Sequence, residues 1–323
     1  MLRKLTKLAT TVALTITAGS ALAAYPEKPI SVVVPFAAGG PTDVVGRTLA
    51  QAMSKPLGGS LVVENVGGAG GTIGAGKVAR APGDGYTLLF HHIGMSTAPS
   101  LYRKLDFKPL EDFIPIGAVV DVPMTLIAKP QTTQTNAKDL IAHIRANKDK
   151  INLANAGVGS ASHLCGLLLQ SAMKTDLTTV PFSGTGPAMT ALLGGNVDIM
   201  CDQTTNTTGQ IKGGKVKAFA VTSKGKLATF PDLPPLANEL PGFEVGVWHI
   251  LYAPKNTPAD VVNKLQASLQ TAIKDPAFQA KMKELGAEIM STDRQTSAGA
   301  KSLLQAEISK WAPIIQAAKV YAD

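Results

Sequence analysis

The chain has 323 residues and a formal charge of +8, from 31 basic and 23 acidic side chains. The charges are scattered without a basic run, and aromatic residues make up only 5%. Both features argue against nucleic acid as a partner and against a platform for stacked bases. The length suggests two domains or one large α/β unit.

The chain opens on a targeting pattern. Arg3, Lys4 and Lys7 form a basic start, residues 8–18 are mostly apolar, and Ser20-Ala21-Leu22-Ala23 sets small residues at a signal-peptidase spacing. The apolar run is too short to span a bilayer. Residues 1–23 are therefore read as a secretory signal cleaved after Ala23, so the mature chain is expected to be exported. Cleavage removes three basic residues and no acids, leaving +5. No cysteine follows the cut, so a lipid anchor is not expected there. No later stretch reaches the length of a transmembrane helix.

Strand and helix patterns then alternate. Residues 30–35 read as a strand and 44–53 as a helix with Val45, Leu49 and Met53 on one face. Strands at 60–64 and 86–90 flank a glycine-rich segment at 67–76 that leads into helix. Strands follow at 116–120 and 124–128. The pattern restarts with helices at 137–146, 164–173 and 187–193 and strands at 152–156, 178–181, 198–201 and 216–222. "FPDLPPLANELPGF" (230–243) carries four prolines and reads as an ordered loop or broken helix. Beyond Trp248 the pattern is helical, at 259–274, 276–285 and 298–318, and Pro258 suits an early helical position.

Two similar α/β halves followed by a helical tail describe a two-lobed binding protein with mostly parallel sheets, flanking helices and a cleft between the lobes. The boundaries expected are 24–123 plus 250–323 for a discontinuous first domain and 124–249 for the second. Ligands of open parallel sheets sit beyond the carboxyl ends of strands, so the loops there are where chemistry is sought.

"VVVPFAAGGPTDVVGRTLAQAM" (32–53) runs strand, turn, helix. Gly39 and Gly40 permit a tight turn, Pro41 suits a first helical position, and Asp43 falls where a capping acid reaches back. The free N–H groups and dipole of such a helix start favour an anion. "GGTIGAGKV" (70–78) is only superficially a nucleotide loop, because Val78 stands where a P-loop needs Ser or Thr. "NAGVGSASHL" (155–164) and "PFSGTGPAMTALLGG" (181–195) repeat the strand, glycine loop and helix design. Ser160 and His163 form a Ser–His pair on paper, and a secreted hydrolase is the rival reading. No G-x-S-x-G elbow surrounds the serine, and no acid is placed to orient the histidine. His91 and His92 are adjacent, so in a strand they face opposite ways and do not make a two-histidine metal site. His91 and Ser96 follow a strand and are candidates for ligand contact. Asp202 and Gln203 end another strand and either line the cleft or bridge the lobes.

Cys165 and Cys201 are an even pair in an oxidising compartment, which suggests a disulfide; two buried thiols are the alternative. Neither has a CxxC partner, which rules out a zinc ribbon.

Several long blocks carry a resemblance. "YPEKPISVVVPFAAGGPTDVVGR", "VVENVGGAGGTIGAGKVARAPGDGYTLL", "HLCGLLLQ", "VPFSGTGPAMTALLGGNVDIMCD", "KELGAEIMST" and "EISKW" occur in order over nearly the whole mature chain. In these blocks the chain resembles the Bug-type periplasmic solute receptors associated with tripartite tricarboxylate transporters. The resemblance implies a type II periplasmic-binding-protein-like fold, no enzymatic activity and no cofactor or metal. It also implies a monomer that captures a small organic carboxylate and presents it to membrane transporter subunits. A partnership with a membrane sensor would use the same cleft. The carboxylate would be met by main-chain amides and bridging water at Phe36, Ala37, Ala38, Gly39, Gly40, Thr42 and Asp43. Gly159, Ser160 and His163 would face it from the other lobe, with Ser183, Gly184, Thr185 and Pro187. None of these loop segments contains Lys or Arg, which fits neutral donors better than an ion-pair clamp.

Overall fold

The computed structural model describes residues 25–322. The signal-peptide reading lies outside the described residues.

Strand β1 (Ile30–Val34) is almost wholly buried and turns into α1 (Pro41–Leu57). Val45, Leu49 and Met53 of α1 face the core as their spacing requires. Gly58, at φ 76°, closes the helix by donating its N–H to the Ser54 and Lys55 carbonyls, a backbone state that favours glycine. Next come β2 (Leu61–Asn65), α2 (Thr72–Ala79), β3 (Thr87–His92) and α3 (Gly94–Leu101). The long strand β4 (Phe113–Ala128) leads to the second half. There follow α4 (Ala137–Ala146), β5 (Asn152–Asn155), α5 (Ala161–Met173), β6 (Thr178–Pro181) and α6 (Thr185–Leu193). Then come β7 (Ile199–Gln203), α7 (Thr204–Lys212) and β8 (Lys217–Val221). The chain returns through β9 (Gly246–Pro254) and ends with α8 (Ala259–Ile273), α9 (Pro276–Glu284), β10 (Glu288–Ile289) and α10 (Ser297–Ala318).

The strands join in the order β2-β1-β3-β9-β4-β7-β5-β6, with β8 and β10 also pairing on β4. Parallel pairs occupy the two flanks, β2-β1-β3 and β7-β5-β6. The middle is antiparallel: β3 with β9, β9 with β4, and β4 with β7. The architecture is thus α/β and of periplasmic-binding-protein type, with a curled, mixed sheet.

Two details differ from the sequence reading. The strands expected at 116–120 and 124–128 are one continuous strand. Its Phe113–Pro123 part pairs with β9 and its Met124–Ala128 part with β7 and β8, so the partner changes at Pro123. The stretch around Trp248 is not a prelude to helices but the central strand β9. Eight of its nine residues are buried, so both faces are covered and the period-2 alternation that marks a strand is lost.

Cys165 on α5 and Cys201 on β7 are joined by a disulfide, with Cα atoms 6.0 Å apart. At the other end, α10 packs on α3, and Ala322 donates its N–H to the Leu101 carbonyl at 2.8 Å. The tail thereby rejoins the first half beside Tyr102. Among the described residues no helix is long and apolar enough to cross a membrane.

Candidate functional site

One cavity of about 520 Å³ opens between the two halves. That volume suits a small-molecule ligand. Its wall is built at the carboxyl ends of strands. Pro35 and Phe36 follow β1, Gly67 to Gly71 follow β2, His92 ends β3, Ala156 and Gly157 follow β5, Phe182 to Thr185 follow β6, and Asp202 and Gln203 end β7.

The consequence is a convergence of helix starts. The N-cap or first turn of α1 (Gly40, Pro41, Thr42), α2 (Gly71), α5 (Ser160, Ala161, Ser162), α6 (Gly184, Thr185) and α7 (Gln203) all line this cavity. The N-caps of α1, α2, α6 and α7 supply no side-chain hydrogen bond. Their first-turn N–H groups are therefore not occupied by a capping side chain. The positive ends of these helices add to the same preference for negative charge. Among the described residues no Lys or Arg lines the cavity.

The first loop shows how local chemistry shapes the wall. Asp43 lies behind it and accepts from the Gly39 N–H at 2.8 Å, from Arg47 Nε at 2.9 Å and from Asn65 Nδ2 at 2.8 Å. Burial works against its ionisation, but the bonds from Arg47, Gly39 and Asn65 outweigh it and hold the carboxyl below its usual range. Asp43 thus organises the loop. The Gly39 N–H is spent on Asp43 and the Gly40 N–H on the Ala37 carbonyl, at 3.2 Å. Of this loop, Phe36, Ala37, Gly40 and Thr42 reach the cavity surface, while Ala38, Gly39 and Asp43 do not.

The histidines sort differently from the sequence reading. His92, not His91, lines the cavity. Both are 2% exposed, because β3 is covered on both faces and strand parity cannot separate them. Nδ1 of His92 accepts the Gly94 N–H at 2.9 Å, so in the neutral ring the proton sits on Nε2. Burial and the neighbouring imidazoles of His91 and His249 push His92 well down, which keeps it neutral. His92 stacks on Phe36 with ring centroids 4.2 Å apart. His91 sits beneath Gly71, where a Cβ would come within 2.7 Å of its Nε2. Burial pushes it down to about 3. Ser96 is wholly buried inside α3 and donates to the Ile93 carbonyl at 2.7 Å. His249 Nε2 meets Thr42 Oγ1 at 3.2 Å while its Nδ1 meets the Val247 carbonyl at 2.8 Å. Among the described residues no group of three or more His, Cys, Asp or Glu side chains is placed to hold a metal ion.

In the second half Ser160, Ser183, Gly184, Thr185 and Asp202 reach the cavity. Gly159, His163 and Pro187 lie off its surface. The Ser–His pair is not assembled for catalysis. Ser160 Oγ accepts the His163 main-chain N–H at 3.3 Å and lies 3.1 Å from Ser162 Oγ. The His163 ring instead takes the Gly159 N–H on Nδ1 at 3.3 Å. Ser160 is a helix cap whose hydroxyl holds the first turn of α5.

Asp202 is fully buried. Its Oδ2 accepts from Asn206 Nδ2 at 2.6 Å, while Oδ1 has no hydrogen-bond partner among the described residues. Burial raises the carboxyl to about 7, against the pull of the Asn206 amide and the nearby Gln203 main chain. Gln203 Oε1 beside it is also buried without a partner.

Gln203, expected beside Asp202, also lines the wall, and residues that sequence reasoning missed join it: Gly67 to Gly71, Tyr102, Phe182 and Ala322. The glycine run was visible as a turn into helix, but nothing local ties Tyr102 or Ala322 to the cleft. They arrive there because the tail folds back beside α3.

Residues 45–320 match the family described as tripartite tricarboxylate transporter family receptor (TctC). Among solved structures, the chain is similar to the periplasmic binding protein BugD at 53% identity, over 93% of this chain and 100% of that one, with a TM-score of 0.89. It is 39% identical to MatC from Rhodopseudomonas palustris with bound malate, over 90% of this chain and 100% of that one, with a TM-score of 0.86. A second R. palustris protein, solved with adipate, is 28% identical over 92% of this chain and 99% of that one, with a TM-score of 0.87. With its fold and the cleft between its halves, the chain belongs to the TctC family and is a solute-binding receptor.

Proposed function

We propose that the chain is a periplasmic receptor that captures a small organic carboxylate in the cavity between its halves and delivers it to the membrane subunits of a tripartite transporter. The observation that carries this reading is the meeting of five helix starts on one cavity that, among the described residues, no Lys or Arg lines. A carboxylate is then held by main-chain N–H groups, hydroxyls, neutral His92 and bridging water rather than by an ion pair. The malate and adipate found in the two R. palustris relatives are ligands of that kind.

The domain division that goes with this reading is 24–123 plus 250–323 and 124–249, with β4 and β9 as the two crossings. Closure about them buries the ligand and creates the shape the transporter recognises. Ligand contacts on the second half must strengthen on closing, since equal affinity for both forms shifts nothing. The signal ends at Ala23 and the mature protein acts as a monomer.

A thermal-shift panel of organic acids, with calorimetry on the hits, tests the reading. Stabilisation grows with free acid above its dissociation constant. Stabilisation by neutral sugars with no response to any acid would overturn it.

A further inference from the structure

Helix α10 is anchored by Trp311 and Ile315, both wholly buried, and its packing on α3 carries residues 319–322 to the rim of the cavity. Lys319, at φ 52°, turns the chain out of the helix in a left-handed cap. Val320 packs on the core. The Arg103 guanidinium lies over the Tyr321 ring, 5.0 Å from its centre. Ala322 then donates its N–H to the Leu101 carbonyl at 2.8 Å and pairs with Tyr102 as a parallel bridge. Leu101 ends α3, where the last carbonyls of a helix lack partners within it. Tyr102 is thus caught between two anchors. Its own N–H bonds back to the Ala98 carbonyl at 3.0 Å, and the carbonyl just ahead of it is held by Ala322. Its hydroxyl crosses to the second half and donates to the Val158 carbonyl at 3.1 Å.

On the reading that the two halves open and close about a ligand, we propose that residues 319–322 form a strap that positions Tyr102 as the latch between the halves. The strap's own bonds stay within the first half, so it acts through Tyr102 rather than by bridging. A hydrogen bond weakens steeply once its donor moves or tilts, so the latch depends on where the backbone of Tyr102 is held. From Tyr102 the chain runs without helix or strand to Phe113. The Ala322 bond therefore ties this point of the rim to a helix with buried anchors. Tyr321 is 44% exposed, which leaves the outer face of the strap in water. Short, exposed pairings of this kind are the ones that open locally. The strap thereby sets how firmly the halves stay together, a role separate from any contact with the ligand.

Hydrogen exchange on the full mature chain tests this at residues 156–160 of the second half. Amides there are bonded locally, Ala156 to Ser162 Oγ and Gly159 to His163 Nδ1, so their exchange reports on release of the loop. Ala322→Pro deletes the N–H that reaches Leu101. Exchange of the loop should rise roughly two- to tenfold, as loss of one hydrogen bond requires, in the protein alone or with malate, the ligand of MatC, added. Tyr102→Phe should give the same rise, and the double change no more, because two residues on one linkage do not add. A chain stopped after Val320, which keeps that residue's core contact, should behave as Ala322→Pro does and guards against a proline that merely misfits. Thermal melts should stay close to the parent, since α10 keeps its buried anchors. Unchanged loop exchange in both strap variants, with and without malate, overturns the proposal. So does a double variant whose effects multiply, or a rise confined to α3 and α10, which would make the strap a structural tie only. Failure of every acid in the thermal-shift panel would sink the receptor reading and leave this measurement standing, because it is also made without ligand.

Discussion

The Tyr102 hydroxyl, carried by the first half, donates to the Val158 carbonyl of the second half at 3.1 Å and so bridges the rim of the cavity. Beside it Gly70 approaches Gly159 closely. A Cβ on Gly70 would lie 2.5 Å from both the Tyr102 hydroxyl and the Val158 carbonyl, and Gly70 is already at φ +60°.

Tyr102→Phe keeps the ring and removes the bond. Ligand affinity is expected to fall roughly two- to tenfold, the worth of one hydrogen bond at ~0.5–1.5 kcal/mol. The melting temperature without ligand should change little. Calorimetry and thermal melts on one preparation check the split. A drop in melting temperature with unchanged affinity would make the bond purely structural.

Gly70→Ala obstructs the same approach with a methyl group that has no room. Affinity is expected to fall more than ~10-fold, and solution scattering should lose the contraction that ligand causes in the parent protein. Contraction of the usual size in the variant would show that the halves do not need this contact.

The Cys165–Cys201 disulfide closes a loop across 36 positions, and chain-entropy arguments put its stabilisation at about 4 kcal/mol. It also ties α5, whose first turn lines the cavity, to the strand that carries Asp202. Reduction, or the double change to alanine, should lower the melting temperature by many degrees and weaken ligand binding. Equal melting with and without reductant would contradict this.

Ser160→Ala removes the cap of α5. Loss of the side-chain bond to the His163 N–H should cost ~0.5–2 kcal/mol in chemical denaturation. Because Ser160 and His163 do not form a nucleophile and base, no ester turnover is expected from the parent or the variant. A Ser160-dependent esterase activity would restore the enzyme reading.

Buried titrating groups set the pH profile of stability. Burial lowers His163 to about 4 and His91 and His249 to about 3. Between those values and the unfolded value near 6.5, the unfolded chain binds more protons, so stability falls as pH drops through this window. Asp202 is raised to about 7 and Asp121 to about 6, chiefly by burial. From about pH 4 upward the folded state holds those protons more firmly, so stability falls as pH rises towards 6–7. The histidines outnumber the two aspartates, so their effect prevails through the acidic range and the ligand-free protein should melt highest near neutral pH. D202N should gain on the parent steadily from pH 4 to pH 8. Parallel melting curves for the two across that range would refute the assignment.

Legibility followed the range of the interactions. The turn Gly39-Gly40-Pro41 and the Ser160 cap obey local rules, so the loops that start α1, α5 and α6 could be read from residues alone. The helix of α10 was readable almost to its ends, since the pattern gave 298–318 and the structure gives Ser297–Ala318. Strand β9 was missed because burial on both faces erases alternation, and the choice between His91 and His92 failed for the same reason. The start of α7 at the cavity was also missed, since Thr204–Lys212 has no strong apolar stripe.

The sequence by itself determined the α/β class, the glycine and proline loops that open several helices, and the absence of Lys and Arg from those loops. These depend on residues a few positions apart. Only the tertiary structure decided that the loops of both halves meet on one cavity, that Tyr102 bridges its rim, and that Asp202 Oδ1 is left without a donor. Each of those is a statement about what is absent or present around a group in three dimensions, set by strands and helices distant in the chain.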